Sequence, residues 1–550
     1  MLFSMACFAQ VPEWLWAKRA GGTSDESATS IAVDVSGNTY VTGGFKSSSV
    51  IFGSDTLTNT NVSLNDIFLA KFDTHGNVIW AKNPAGIGND YATSIAVDAS
   101  GNIYVAGYYE SPAITFDTTT LSNAGFCDIF LAKYDANGNV LWAKGAEGTF
   151  LDYATSVAVD ASGNPYITGY FESDTLYIGS DTLIGSGWDN VFLVKYDTNG
   201  NVLWSKNPKG TFSDQAYSIA MDTIGNFYVA GYFNSSTIIF GSDTLTSSGG
   251  DDIFLVKYNT GGNVIWAKSA RTNETYYDIV LPTAVDASGN TFVAGYFNND
   301  TLIFGSDTLM SAGGDDIFLV KYDTGGNVLW AKSAGGTGDD LAYSIAADAS
   351  GNVYLAGFFK SPTISFGCAT ISNAGFSDIF LAKYDADGNL LGAKRAGGTD
   401  NDYAYSIAIG PLGNTYMAGY FNSTTITFDS ISIMSPYMGS YDIFLAKLDT
   451  GLTIGVKELF INGENSIIIY PNPASGKVQV QSSKFKIQSL EIYNIQGKLV
   501  KQIPRLAESK RADPQSSVPI EIDVSSMAKG IYIVKIQSEN GIVNRKLIVQ

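Results

Sequence analysis

The 550-residue chain contains a single histidine, His75, and that scarcity removes most hydrolytic chemistry at the outset. Ser-His and Cys-His nucleophile pairs, and metal sites built on imidazole, need histidine in a pocket. His75 sits in a short turn where parallel stretches carry Asn137, Asn199 or Gly325, so it reads as a turn substitution. Cysteine is nearly as scarce, with only Cys7, Cys127 and Cys368. Residues 1–450 hold three arginines, Arg19, Arg271 and Arg395, too scattered for a carboxylate-gripping cluster. No segment has the ~18 uninterrupted apolar residues of a spanning helix, so the chain is not read as transmembrane. No stretch has the period of an amphipathic helix.

Basic residues are also short: 33 Lys+Arg face 53 Asp+Glu, a net charge of -20. Residues 451–550 hold 13 basic against 8 acidic, which leaves residues 1–450, at 20 against 45, with -25. Nucleic acid and anionic membrane bind through excess Lys and Arg, so neither is an expected partner. Of those 20 basic residues, 14 fall in two repeated columns, one running from Lys71 to Lys447 and the other from Lys18 to Lys394. They belong to the scaffold.

What is abundant is repetition. The words DIFLVKYNTGGNVIWAK at Asp252–Lys268 recur at nearly constant spacing from Asp66, Asp128, Asn190, Asp316 and Asp378, and their first half returns at Asp442. Self-similarity at a fixed period outranks the length prior for domain count. Each unit holds four strand-like pieces, two of whose connections are Asp-x-x-Gly-Asn turns of the kind that tolerate positive φ. The strands are apolar on both pleat faces, which predicts small sheets packed on both sides by copies of themselves. The expected fold is all-β: a seven-bladed β-propeller over residues 11–449, followed by a small C-terminal β-sandwich.

The pieces are out of phase. Seven inner hairpins and seven third strands are present, but the fourth strand is marked by Trp16, Trp80, Trp142, Trp204, Trp266 and Trp330, with Gly392 in the same slot. The seventh blade has no fourth strand after Asp449, whereas Trp14–Gly22 is a fourth strand with no blade before it. Joining the two predicts a ring closed by an N-terminal outer strand. The Trp column is expected to fill the space between outer strands, with Trp204→Ala costing ~3–5 kcal/mol if that ring is fully buried, and Gly392 to leave blade six loose and able to gain stability from a tryptophan. Cys127 and Cys368 fall in blades nearly opposite, beyond the ~7 Å Cα limit of a disulfide.

The blocks VDASGNxYVAGYF, DIFLAKYD and GNVLWAK resemble the bacterial β-propeller repeats known as SBBP repeats over roughly residues 14–449. That resemblance implies the fold and leaves activity open, because the fold hosts many functions.

Residues 1–9 read as the end of a secretory signal cleaved after Ala9, with translation starting upstream; a buried N-terminal strand is the rival reading. Residues 450–466 read as a linker, and residues 467–550 as short alternating strands of a β-sandwich. Within them Tyr470, Pro471, Asn472 and Pro473, then Gly530 and Tyr532 with Lys535, then Gly541 before Lys546, resemble the C-terminal sorting domain (type A) of the type IX secretion system. The resemblance implies a Bacteroidota-type cell, the type IX secretion machinery as partner, and a secreted protein, extracellular or anchored on the outer surface of the outer membrane.

With histidine gone, carboxylates are the remaining candidates. Asp25, Asp90, Asp152, Asp214, Asp340 and Asp402 precede the inner strands, and Asp251 and Asp252 lie nearby on the same face. One reading is a ring binding Ca2+, or a polyhydroxylated or cationic ligand, through oxygen; the other is that each Asp caps a turn or bonds nearby backbone. No further cofactor is expected. Asp-Thr-Leu segments resemble an O-glycosylation acceptor of this bacterial group and place Thr56, Thr182, Thr244 and Thr308 on exposed hairpins. Recognition of a polysaccharide or protein outside the cell is the leading expectation, a surface-structural spacer the second, and an enzyme restricted to carboxylate or tyrosine chemistry the third.

Overall fold

The computed structural model describes residues 13–449, apart from 60, 63, 85, 248, 273–277, 299–300 and 412, and residues 467–549, apart from 471–475, 483–486, 495–498, 504–519, 528–529 and 539–540. The chain divides into two compact units, Met1–Gly451 and Leu452–Gln550. The expected signal segment, residues 1–9, and linker, residues 450–466, lie outside the described residues.

Each repeat of the first unit folds into one four-stranded antiparallel sheet. Blade one runs Glu26–Val33, Thr39–Phe45, Asp66–Phe72 and Val78–Lys82, in that order from inner to outer strand. Blades two to six follow the same plan; the sheet of blade four is extended by the hairpin Thr301–Phe304 and Asp307–Met310. The seventh sheet is completed from the far end of the chain: Glu13–Ala20 pairs antiparallel with Asp442–Asp449. The turns explain the Asp-x-x-Gly-Asn signature. In the first, Asp34 Oδ1 accepts the N–H groups of Ser36 and Asn38 at 2.9 Å each, Oδ2 accepts Asn38 Nδ2 at 2.8 Å, and Gly37 takes φ +83°. The same three bonds recur at Asp385, so that carboxylate is occupied by its own turn.

The inner strands form a closed circle, stitched by serines at six of its seven joints. Ser30 Oγ accepts the N–H of Ile95 in the next blade at 3.2 Å, Ser94 accepts that of Val157 at 3.1 Å, and Ser406 of the last blade accepts that of Ile31 in the first at 3.1 Å. Further out, the lysine column that begins at Lys71 and the tryptophan column fasten most blades to the next. Lys71 Nζ donates to Ala136 O at 2.9 Å while lying 5.0 Å from the Tyr40 ring centroid, and Trp80 Nε1 donates to the same carbonyl at 3.3 Å. The lysines therefore act as interblade bolts, desolvated but bonded, in keeping with the rule that buried charge is paired.

Tryptophan burial is less uniform than expected: Trp80, Trp266 and Trp330 are buried, whereas Trp204 is only half-buried. Each of these rings packs on the outer turn of the following blade, as Trp266 does by donating to Thr324 O at 3.1 Å. At Gly392 the following blade is the seventh, whose third and outer strands are not joined by any turn. A small void lined by Tyr354, Leu381, Lys383 and Leu448 remains there, but a tryptophan would have no turn carbonyl to meet. Trp266→Ala should therefore cost ~3 kcal/mol of stability, while Gly392→Trp brings no comparable gain. Denaturant melts of both variants check this; a Gly392→Trp gain as large as the Trp266→Ala loss would show that the missing turn is not the reason.

The second unit pairs a three-stranded sheet, Ile467–Tyr470, Lys477–Ser482 and Ile520–Asp523, with a four-stranded one, Leu499–Ile503, Ile487–Asn494, Gly530–Ser538 and Gly541–Val549. Val478, Ile492, Val534 and Leu547 belong to its core. It is a small β-sandwich.

Candidate functional site

Asp90, Asp152, Asp214, Asp340 and Asp402 each open an inner strand, and all five are buried. Each is held by a serine 21 residues on: Ser111, Ser173, Ser235, Ser361 and Ser423 donate their hydroxyls at 2.6 to 2.8 Å. Burial raises these carboxyls, to about 7 for Asp152 and Asp402 and to about 6 for Asp214 and Asp340. Asp25 is not a member of this column. The strand register aligns Glu26 with Phe45 as Asp90 aligns with Tyr109, so the blade-one counterpart is Glu26. Glu26 accepts the N–H groups of Gly22 at 2.8 Å and Ser47 at 3.2 Å, and burial lifts it to about 7. Asp25 instead accepts the N–H of Tyr441 at 3.2 Å and lies 4.0 Å from Lys46. Asp251 is buried and bonded by Asn234 at 2.6 Å, and Asp252, also buried, opens a third strand. Among the described residues no group of three or more His, Cys, Asp or Glu is arranged to hold a metal ion.

What the same face does present is aromatic. Directly after Asp90, Asp152 and Asp402, and opposite on the second strand, the register places ring pairs: Tyr91 with Tyr108, Tyr153 with Tyr170, Tyr403 with Tyr420. The inner-strand bulges add Tyr217, Tyr343 and Tyr405. The rings touch in series around the mouth of the channel. Tyr91 stacks on Tyr108 at 5.0 Å between centroids, Tyr108 meets Tyr153 edge-on at 4.7 Å, and Tyr153 lies 5.0 Å from Tyr170. Across the mouth, Tyr343 stacks on Tyr405 at 4.5 Å, Phe358 meets Tyr403 at 4.6 Å and Tyr420 meets Tyr441 at 5.0 Å. Burial lifts the Tyr420 phenol to about 12, so its hydroxyl stays a neutral donor. A cavity of about 370 Å³ opens here, lined by these tyrosines together with Asp25, Glu26, Ser27, Lys46 and Lys360.

Reasoning from the sequence misses this belt. Its signal is the repeated Asp-Tyr-Ala and Gly-Tyr-Phe words, which pass equally well for strand composition. The Asp-Thr-Leu threonines, Thr56, Thr182, Thr244 and Thr308, are exposed on outer hairpins. Cys127 is buried and Cys368 exposed. Arg19 and Arg395 each engage a buried carboxylate, Asp442 at 2.6 Å and Asp378 at 2.9 Å.

In the second unit Gly530 and Tyr532 open the strand that pairs with the final one, Tyr532 opposite Leu547 and Lys535 opposite Asn544, with Gly541 at the hairpin and Lys546 opposite Ile533. Lys535 also reaches Glu491 at 3.1 Å. Tyr470 ends the strand Ile467–Tyr470, and Pro471, Asn472 and Pro473 lie outside the described residues.

Comparison with known proteins follows this division. The chain is 25% identical over 528 residues to an uncharacterized WD repeat-containing protein of Acanthamoeba polyphaga mimivirus, an alignment covering 79% of this chain and 38% of the relative. It is 28% identical over 329 residues to the regulatory protein FlaEY of Caulobacter vibrioides, covering 53% of this chain and 32% of that one. The chain thus spans about a third of the length of either relative. Among solved structures, the WD40 β-propeller domain of Doa1 aligns with 10% identity and a TM-score of 0.40 over 80% of this chain and 99% of that one. Residues 468–550 match the secretion system C-terminal sorting domain. The chain is a β-propeller protein carrying a type IX secretion sorting domain, which directs it to the cell surface or the extracellular space.

Proposed function

We propose that the protein is an extracellular binding protein: the propeller recognises a polysaccharide or a protein outside the cell, and the sorting domain delivers it there through the type IX machinery. In this reading residues 1–9 are the remnant of a signal segment, residues 11–449 the recognition module, residues 450–466 a linker and residues 467–550 the export domain. The observation that carries the binding role is the aromatic belt around the channel mouth. Partly exposed rings gathered on one face leave apolar surface in water, which is characteristic of a surface that meets a ligand. The scarcity of histidine and arginine, and the engagement of the strand-opening carboxylates with serines, favour binding over turnover.

The test of export is truncation. Expressed in a type IX-competent host, a chain lacking residues 467–550 should accumulate inside the outer membrane with its propeller folded, while the full chain reaches the surface or medium. Equal surface appearance of both would refute the sorting role. The test of binding is retention of the purified full chain on extracellular polysaccharide and surface protein of its host; retention on neither would favour a purely structural part.

A further inference from the structure

The belt of rings is interrupted once among the inner register pairs. The first position of the pair is Tyr91, Tyr153, Gln215, Ile279, Leu341 and Tyr403 in blades two to seven, and the second is Tyr108, Tyr170, Tyr232, Tyr296, Phe358 and Tyr420. In blade one the pair is Ser27 and Gly44. Both large side chains are missing at one place, and the cavity lies there, between blade one and the rings of blades six and seven. Nothing in the backbone demands the glycine: a Cβ on Gly44 would meet Asn65 at 3.5 Å and Asp66 O at 3.7 Å, ordinary contact distances, and its φ lies outside the left-handed region.

We propose that this gap is a ligand pocket and that its ligand is a neutral sugar ring, the terminal or exposed residue of an uncharged glycan. The proposal rests on the binding role given above and names the place and the chemistry. Tyr343, Tyr403, Tyr405 and Tyr420 supply half-buried ring surface, whose electron-rich faces attract the C–H groups of a pyranose as they attract other positively polarised edges. Their hydroxyls, with Ser27 and Asn65, supply donors and acceptors for sugar hydroxyls. The charges lining the cavity are already matched within the protein: Lys46 faces Asp25 at 4.0 Å, Lys360 bonds Asp339 at 2.9 Å, and Glu26 is bonded to backbone N–H groups. An anionic sugar would meet buried or paired carboxylates, and an ammonium ligand would meet two lysines at the rim. A neutral polyhydroxylated ligand meets neither penalty. A cavity of about 370 Å³ accommodates one or two sugar rings, not a protein segment of the area that stable protein interfaces require.

The test uses the full chain and saturation-transfer NMR with titration calorimetry. The probes are neutral methyl pyranosides of the gluco, galacto, manno and N-acetylgluco series, with methyl glucuronide and choline as charged comparators. The expected result is binding of at least one neutral pyranoside, about tenfold or more tighter than either charged probe. Gly44→Tyr, which restores the residue found at this register in five other blades, should keep the unfolding temperature and weaken that binding by about tenfold or more. Ser27→Tyr is the second variant, filling the gap from the facing strand. No neutral pyranoside bound, tighter binding of choline or glucuronide, or a folded Gly44→Tyr chain with unchanged affinity would each overturn the pocket. If host polysaccharide or protein still binds the wild type and Gly44→Tyr equally, the pocket falls while the binding role stands.

Discussion

Deleting residues 13–20 is expected to destroy the single cooperative unfolding transition of the propeller and to drive the protein into edge-paired oligomers. The segment Glu13–Ala20 is the outer strand of the seventh sheet, registered from Glu13 opposite Asp449 to Ala20 opposite Ile443. Its removal exposes Asp442–Asp449, DIFLAKLD, as a free strand edge that is buried from Asp442 to Leu448 in the intact protein. An unpaired apolar edge of that length is a template for another chain. Trp14 leaves the core where its ring meets Phe428 at 5.0 Å, and Trp16 leaves Tyr416 at 6.2 Å. Most costly is Asp442, fully buried and bonded twice by Arg19 at 2.6 and 3.0 Å. Stripping one member from a buried ion pair typically costs ~3–5 kcal/mol because the other charge is left alone. Closing so long a loop, from Ala20 round to Asp442, is tolerated because the entropic term grows only logarithmically with length. Calorimetry and sedimentation of the deletion variant check the outcome. A relocation variant, with residues 11–21 transferred to follow Asp449, should recover the transition, since the strand then enters the sheet by a hairpin. A deletion variant with unchanged melting and unchanged mass would show that the last blade does not depend on its borrowed strand.

That closure is legible in the sequence because it rests on counting: seven third strands but a fourth strand displaced to the other end. The turns are legible too, since Asp34, Gly37 and Asn38 sit in one tight turn and their bonds are local. The lysine columns can be assigned to the scaffold from their period alone, though their partners, such as Ala136 for Lys71, lie 65 residues away. The carboxylate ring misleads for a physical reason. Each strand-opening Asp is satisfied by a serine just beyond the far end of the next strand, a pairing that exists only once the hairpin folds, so the acids look free in the sequence. The same separation hides the belt: Tyr91 and Tyr108 lie on different strands and become neighbours only through antiparallel register. A slip of one residue conceals the break in it, because the sequence invites an alignment of Asp25 with Asp90 where the register aligns Glu26. With the register corrected, Ser27 falls into the tyrosine position and the odd blade becomes visible. Trp204 shows the converse limit: period identifies a column, not how deeply each member is covered.

The propeller is expected to be most stable near pH 4 and to lose stability steadily from about pH 4 to pH 7, against the usual expectation for an acidic protein. Glu26, Asp66, Asp152 and Asp402 are raised by burial to about 7, and Asp214 and Asp340 to about 6. Neighbouring blades add to the effect, since Asp66 stands near Asp90, Asp152 near Asp128 and Asp402 near Asp378. In the unfolded chain the same groups titrate near ~4. Between the two values the folded state binds more protons than the unfolded one, so stability falls as pH rises. The contribution is fully present below the unfolded value and is lost as pH climbs through 6 and 7. Each unit of displacement corresponds to ~1.4 kcal/mol, so six groups displaced in the same direction by even one unit each sum to ~8 kcal/mol. The acid side has the opposite sign. Asp73, Asp135, Asp197, Asp323 and Asp385 are held low by the bonds of their turns, and their contribution, present above the unfolded value, disappears as pH drops below it. Calorimetric unfolding of the full chain from pH 3 to pH 9 should give a propeller transition that peaks near pH 4. Asp152→Asn, which keeps an acceptor for Ser173, should raise that transition at pH 8 and leave it nearly unchanged at pH 3, below the unfolded value. A transition temperature that is flat or rising from pH 4 to pH 7 would show that the ring of buried carboxylates is ionised in the folded protein and compensated by the serines that hold it.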